Sequence, residues 1–380
     1  MALTGAQATA LRLAGQRLDR PAKAGSLVET CGSIGGAQAQ VGSAARLGLA
    51  ARIAGLTAAE YERALGEERT LVKTWTVRGT LHVVPSRDLP LHVAAFGPLR
   101  IANFDRWVAR SGVDPGLSAA ITDDIVEALA DGPLTRREIA ARVAPGHGPK
   151  AKQWIEHSWG GVLHRGVYEG RLCFGSSRGT EVRFARTDRW LAARDLAPVP
   201  AAEAEATLVR RYVRAYGPTT ARDFGFWAGI YVPDALRLWA RVEHELVPVT
   251  VDGREAFVHE EDLPAARRLT RARGSDGAAA APHVILLAHF DPYLLGHRDK
   301  AGLVDAKRYK RVFRTAGWIA PVLLVDGRIA GVWEPARKKD VLVARLRPFG
   351  RLAPGVRPAV RSALERLAAC EGLAARVTWT

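Results

Sequence analysis

The stretch Gly-Pro-Leu-Thr-Arg-Arg-Glu-Ile-Ala at residues 132–140 decides the fold. Thr135 is a good N-cap residue and Glu138 stands three positions later, so the two predict a capping box at the start of a helix. A similar stretch, Gly-Pro-Thr-Thr-Ala-Arg-Asp-Phe, occupies residues 217–224, with Thr220 as its cap. Both stretches are typical of the turn and second helix in a helix-turn-helix unit.

The surrounding sequence repeats one order of elements three times, in which helical segments are followed by two short strands. The strand pairs are predicted at 71–76 with 80–84, 167–174 with 181–185, and 246–251 with 254–259. A short helix at 88–95 follows the first pair. This order predicts three tandem winged-helix domains, at residues 1–112, 113–195 and 196–270. The alternative is a generic α+β chain.

The last quarter of the chain has a different pattern. A linker rich in Gly, Ser and Ala covers residues 271–281. Residues 283–380 then contain apolar strand-like runs and one helix, and Asp326-Gly327 predicts a hairpin turn. The strand-like runs are at 284–287, 317–325, 328–335, 340–347 and 374–379, and the helix is at 355–369. The prediction is a C-terminal β-barrel-like domain, which makes the whole chain α+β.

The charge indicates a polyanionic partner. The chain has 55 Lys and Arg against 39 Asp and Glu, a formal net charge of +16. Residues 283–380 hold 18 of the cations and only 8 of the acids, so they carry about +10 of that excess. Such a surface favours nucleic acid, and a merely soluble basic protein is the alternative.

Several classes of protein are disfavoured. The three cysteines lie far apart, which argues against structural zinc and suits a reducing cytoplasm. We find no signal peptide, no apolar run long enough to span a membrane, no P-loop, no Gly-x-Ser-x-Gly elbow and no deaminase signature.

The most unusual polar motif is Gly35-Gly36-Ala37-Gln38-Ala39-Gln40. In an extended loop, glutamines at i and i+2 share one face and can hold one water or one sugar oxygen. From the residues alone, two solvent-facing glutamines near a helix start are the simpler interpretation.

Three further stretches carry candidate binding residues. Arg78 lies in the turn between two predicted strands, where it could reach a phosphate or stand as an ordinary surface arginine. Residues 289–300 form a dense polar set that suggests ligand contact, although His289, Asp291 and His297 fit no standard metal-site spacing. Residues 307–314 interleave cations with aromatic rings, as in nucleic-acid surfaces or on a solvated helix face.

Taken together, the motifs at 38–40, 78–82 and 290–299 resemble those of the tandem winged-helix DNA glycosylases of the AlkZ-like family. The resemblance covers nearly the whole chain and implies a C-shaped monomer. The family's short catalytic motif would be Gln38-Ala39-Gln40 here. This is the double-glutamine form of relatives that protect antibiotic producers from their own DNA-alkylating compounds, rather than the glutamine–aspartate form of the housekeeping branch. Ala39 is smaller than the apolar residue usual between the two glutamines.

The resemblance implies roles for named residues. Gln38 and Gln40 would be catalytic, and the set that binds DNA or substrate would be Arg78, Thr80, His82, Asp291, Tyr293, His297 and Arg298. The implied substrate is double-stranded DNA that contains alkylated purines, in the nucleoid of a bacterial cytoplasm. No metal, other cofactor or obligatory protein partner is expected, and DNA affinity should fall steeply with salt.

Two other functions remain open at this point. A winged-helix transcription regulator shares the charge and the fold, but the helices at 136–143 and 221–227 are apolar for recognition helices. A drug-sequestering resistance protein would bind the free alkylating compound without releasing a base from DNA.

Overall fold

The computed structural model describes residues 1–110, 114–148, 150–157, 161–179, 181–271 and 281–380. The predicted boundary at 112/113 and most of the predicted linker, 272–280, lie outside these residues. The described chain forms two compact units, one made of residues 1–61 and 209–380 and the other of residues 62–208.

The helices and strands alternate along the chain in a mixed α+β order. The helices are α1 Gly5–Gly15, α2 Leu27–Ser33, α3 Ala44–Ala50, α4 Ala58–Gly66, α5 Leu89–Arg110, α6 Pro115–Ala128, α7 Arg136–Val143, α8 Ala151–Glu156, α9 Leu163–Tyr168, α10 Thr187–Trp190, α11 Ala201–Tyr216, α12 Ala221–Ala228, α13 Val232–Trp239, α14 Leu263–Arg271, α15 Pro292–Leu295, α16 Tyr309–Val312 and α17 Val356–Cys370. The strands are β1 Ala2–Leu3, β2 Ala37–Gln38, β3 Leu71–Trp75, β4 Leu81–Pro85, β5 Leu134–Thr135, β6 Leu172–Phe174, β7 Arg183–Arg186, β8 Leu246–Val251, β9 Arg254–His259, β10 Val284–Leu287, β11 Val322–Val325, β12 Arg328–Lys338, β13 Val341–Pro348 and β14 Ala374–Trp379.

The unit of residues 62–208 is built around strands in the order β4-β3-β6-β7-β5. The predicted capping box at the start of α7 is confirmed: Thr135 Oγ1 accepts from Glu138 N at 3.2 Å, and the Glu138 carboxylate accepts from Thr135 N at 2.7 Å. The apolar face of α7 packs with α6, α9 and the sheet around Ile121, Ile139 and Phe184, all fully buried. Most of the stability of such a helix comes from burial of its apolar face, since a short helix is marginal in water by itself.

The order of elements predicted for the third repeat is confirmed in the other unit. Helices α11, α12 and α13 are followed by the hairpin β8–β9, which closes at Asp252-Gly253 with both residues at positive φ. Thr220 caps α12 by accepting from Asp223 N at 3.2 Å. The number of winged-helix domains stays a prediction.

The C-terminal part is β-rich, as predicted. Its strands form one sheet in the order β10-β11-β12-β13-β14, antiparallel except for the parallel pair β13–β14. In the described residues this sheet is open, a half-barrel rather than a closed barrel, and α17 packs against both β10 and β14. Its core includes Leu287, Val322 and Leu324, each fully buried.

Candidate active site and DNA-binding residues

The glutamine motif lies in a turn made by two glycines. Helix α2 ends before Gly35 (φ 76°) and Gly36 (φ 92°), and Gly36 N donates to Cys31 O at 2.9 Å. Residues other than glycine are strained at such φ values, because their Cβ atom approaches the backbone too closely. The glycines therefore let the chain reverse and enter β2, where Gln38 is extended.

Aromatic side chains of α11 and α12 support this turn from within the same unit. Tyr216 Oη donates to Ile34 O at 3.0 Å, and a Cβ added at Gly35 would lie 2.7 Å from Cζ2 of Trp227. Both rings are almost completely buried. The turn that precedes the glutamines is therefore closely packed and has little freedom to move.

The two glutamines differ in exposure. Gln38 is buried and Ala39 is only 4% exposed, whereas Gln40 is exposed in the bend that leads to α3. The i, i+2 spacing in an extended loop predicts both side chains on one face, but of the two only Gln40 is exposed to solvent. Their catalytic role stays a prediction.

Arg78 occupies the tight turn between β3 and β4, with φ 58°. The turn is closed by Gly79 N donating to Thr76 O at 2.8 Å and by Thr80 Oγ1 donating to Val77 O at 3.1 Å. The left-handed backbone conformation costs a non-glycine residue roughly 1–3 kcal/mol, and residues strained in this way cluster at functional sites. Arg78 is half-buried.

His82 supports Arg78 rather than presenting itself to a ligand. It is 3% exposed, its Nδ1 donates to Thr80 O at 3.0 Å, and its Nε2 lies 3.5 Å from Nη2 of Arg78. Burial, and secondly the Arg78 charge, hold the pKa of His82 well below 6.5. The ring is therefore neutral at neutral pH and can face the guanidinium without repulsion.

Acidification is expected to destabilise the protein. Burial lowers the pKa of His164 to about 4 and that of His82 well below 6.5, so the unfolded chain binds protons more readily. Stability from these groups is complete above pH 6.5 and declines as pH falls toward their folded-state pKa values. Urea unfolding on both sides of pH 6.5 measures this decline.

Replacing His164 with an uncharged residue tests whether its protonation contributes to this loss of stability. His164→Gln is expected to make the pH dependence of the unfolding free energy shallower, because its share of the proton uptake is lost. His244→Gln, at a side chain that is 76% exposed, is the control for the same replacement at the surface. Equal slopes in His164→Gln and the wild type would contradict the assignment.

The polar stretch at 289–300 lies mostly inside the protein. Asp291 forms a bidentate ion pair with Arg52 at 2.8 Å for both contacts, and both side chains are fully buried. Tyr293 is 3% exposed and donates from Oη to Gly327 O at 3.0 Å. The sequence predicts ligand contact for Asp291 and Tyr293, but in the structure their side chains bind Arg52 and the Gly327 carbonyl within the protein.

The end of this stretch approaches the surface. His297 is 9% exposed, and burial, followed by the charges of Arg12 and Lys300, holds its pKa well below 6.5. Arg298 has an exposed side chain, while its backbone N donates to Asp223 Oδ1 at 2.9 Å. Of the four predicted contacts in this stretch, Arg298 alone has an exposed side chain.

Arg52 was not predicted from the sequence. Besides Asp291 it donates to Gly48 O at 2.8 Å and to Gln16 Oε1 at 3.1 Å. Its position two residues after α3 gives no local sign of a buried charge. The dense polar set at 289–300 predicts a polar partner, and for Asp291 that partner is an internal arginine instead of a ligand.

His289, Asp291 and His297, which the sequence left as a weak metal-site alternative, have separate partners in the structure. His289 Nδ1 donates to Ile319 O at 2.9 Å, whereas Asp291 is paired with Arg52. No group of three potential metal ligands from His, Cys, Asp and Glu occurs among the residues that the structure describes.

The basic stretch at 307–314 includes the short helix α16. Its aromatic members Tyr309 and Phe313 stack at 4.9 Å, and Lys307, Lys310 and Arg314 have exposed side chains. This arrangement offers exposed cations around an aromatic pair.

Within the described ranges, no helix is long and apolar enough to cross a membrane.

Comparison with known proteins identifies the family. The model of the AlkZ-like DNA glycosylase family matches residues 32–370. The curated interstrand DNA cross-link repair glycosylase of Streptomyces sahachiroi is 33% identical over 318 residues, which cover 81% of this chain and 82% of the relative. The solved structure of the Streptomyces sahachiroi DNA glycosylase AlkZ superposes with a TM-score of 0.84 at 28% identity, covering 100% of both chains. The chain therefore belongs to the AlkZ-like DNA glycosylase family, whose members hydrolyse N-glycosyl bonds in DNA.

Proposed function

We propose that this protein is a monofunctional DNA glycosylase that releases bulky N7-alkylated purines from double-stranded DNA. Membership of the family supports DNA as the substrate, and the relative named for interstrand cross-link repair supports a bulky lesion. The protein would protect its bacterial host against a DNA-alkylating or crosslinking natural product. It would act in the cytoplasm as a C-shaped monomer with three winged-helix domains.

The observation that carries the proposal is the rigid glycine turn that delivers two glutamines. The turn is fixed by Tyr216 and Trp227, and it leads to a buried Gln38 and an exposed Gln40. A closely packed turn restricts the backbone that carries both amides, and preorganised dipoles lower barriers by several kcal/mol. The exposed amide of Gln40 can bind the attacking water.

Glutamine cannot take a proton as a general base, which restricts the substrate. An N7-alkylated guanine is a cation, so it departs as a neutral base when the bond to C1′ breaks. Water then attacks C1′ of the oxocarbenium-like sugar and loses its proton to solvent. The amide oxygens of Gln38 and Gln40 would orient this water and stabilise the positive sugar. The chemistry needs neither a metal nor a nucleotide cofactor.

DNA binding would use the cations with exposed surface. Arg78 and Arg298 would contact phosphates, together with the basic stretch at 307–314. Thr80 and His82 would hold the Arg78 turn, and Asp291, Tyr293 and His297 would stabilise the C-terminal part instead of touching DNA. This distribution follows from their burial and hydrogen bonds.

Single-turnover base release tests the proposal. We expect release of N7-methylguanine and of a bulky N7-alkylguanine from duplex DNA, and no comparable release of uracil, which would depart as an anion. Uracil release at a similar rate would refute the mechanism. Release of the methyl adduct alone would refute the preference for bulky lesions.

Failure to release any base has a defined meaning as well. DNA binding without release would favour a transcription regulator. Tight binding of the free alkylating compound without release would favour a sequestering protein.

A further inference from the structure

A cavity lies within the unit of residues 62–208. Its volume is about 370 Å³, within the range typical of small-molecule sites. The turn at Arg78-Gly79, one face of α5 and one face of α9 line it. Its lining residues all belong to this one unit.

Aromatic rings form much of its wall. His164 and Tyr168 of α9 stack at 5.4 Å with an interplanar angle of 21°, and Phe104 and Trp107 of α5 lie 5.8 Å apart. Trp107 is 53% exposed, although it is one of the largest apolar side chains in the chain. An exposed tryptophan at the mouth of an aromatic cavity is a ready surface for stacking by a planar ligand.

The same cavity carries positive charge. Arg100 of α5 lines it together with Arg78, and the Arg100 guanidinium lies 5.8 Å from the Tyr168 ring centre. Burial lowers the pKa of Arg100 to about 10, which leaves it protonated at neutral pH. None of the described residues that line the cavity is acidic. An anionic group is therefore favoured beside the two arginines.

Gly79 keeps the arginine end of the cavity closely packed. A Cβ added there would lie 3.3 Å from Arg100 Nη1 and 3.3 Å from Tyr168 Oη, and its φ is 66°. The backbone of the Arg78 turn thus passes directly against both groups. This places the cations and the aromatic wall side by side.

We propose that this cavity binds one unpaired nucleotide of DNA. The base would stack on Trp107 and on the Tyr168 side of the cavity, and its phosphate would lie at Arg78 and Arg100. Aromatic stacking with adjacent cations is the general mode of binding to unpaired nucleotides, because every base offers a planar face. The site shares Arg78 with the proposed contacts to duplex DNA, but it involves neither Gln38 nor Gln40 and needs no lesion.

Fluorescence anisotropy with undamaged DNA tests this proposal at fixed salt. The wild type is expected to bind a duplex with a one-nucleotide bulge about tenfold more tightly than the same duplex fully paired. A bulge that lacks its base should bind like the paired duplex, because stacking is lost while the phosphate remains.

The variants assign the effect to the cavity. Trp107→Ala is expected to abolish the preference for the bulge and leave affinity for paired DNA unchanged, while Trp107→Phe retains most of the preference. Tyr231→Ala, at a 62% exposed aromatic residue on α13, is the control and should keep it. Equal wild-type affinity for bulged and paired DNA, or a preference that survives Trp107→Ala, would overturn the proposal.

Discussion

Replacing both Gln38 and Gln40 with alanine is expected to reduce the single-turnover rate of N7-alkylguanine release by roughly 100- to 1,000-fold. Removing one preorganised polar group from an active site typically lowers the rate by about that factor. Groups that act as a unit are not additive, so the double variant should be little worse than the more impaired single variant. Affinity for the lesion-bearing duplex should stay near that of the wild type.

The matched control is Gln153→Ala, at an exposed glutamine on α8. It should leave the release rate unchanged. The two single variants measure how much the buried Gln38 and the exposed Gln40 each contribute to orienting the water and stabilising the sugar. Undiminished release by the double variant would keep the enzyme and move its active site elsewhere.

Asp291→Ala is expected to lower the free energy of unfolding by about 3–5 kcal/mol. It removes one partner of a fully buried ion pair and leaves the Arg52 guanidinium without its carboxylate. Urea unfolding measures the loss. The control is Asp305→Ala, whose pair with Arg328 joins side chains that are 78% and 54% exposed, so its loss should be about 1 kcal/mol or less.

A double replacement separates the charge from the packing. Arg52→Met with Asp291→Leu removes both charges and keeps apolar bulk, so it should destabilise less than Asp291→Ala alone. If Asp291→Ala matched Asp305→Ala in stability, the buried pair would have no structural role. That outcome would favour the role in DNA binding that the resemblance implies for Asp291.

Local chemistry explains which elements could be predicted from the sequence. Helix α7 begins where the capping box at Thr135 predicts, and strands β8 and β9 have the predicted bounds because Asp252-Gly253 fixes their turn. Both signals act within a few residues. They need no information about distant parts of the chain.

Elements decided by tertiary packing were predicted less well. The helix predicted at 88–95 runs from Leu89 to Arg110 and includes Pro98, which normally interrupts a helix. Contacts with α9 along its length stabilise the continuation. Similarly, the strand predicted at 167–174 begins only at Leu172, because the preceding residues end α9.

The candidate site shows the same division. The Arg78 turn and the glycine turn before Gln38 could be located from their own residues. The burial of Asp291 could not, since its partner Arg52 stands 239 positions earlier in the chain. The cavity residues Arg100, Phe104 and Trp107 recur at helical spacing and form a signal, but only within a helix longer than the one predicted.

The division of one unit between residues 1–61 and 209–380 has a consequence for biosynthesis. Strand β1 pairs with β8, Ala2 opposite Thr250, so the first segment emerges from the ribosome long before its partner exists. At about 5–20 residues per second, Arg52 waits roughly 10–50 s for Asp291 to be translated. The unit of residues 62–208 can fold during this interval. Residues 1–61, in which Arg52 is still hydrated, are the part of the nascent chain that chaperones would need to bind.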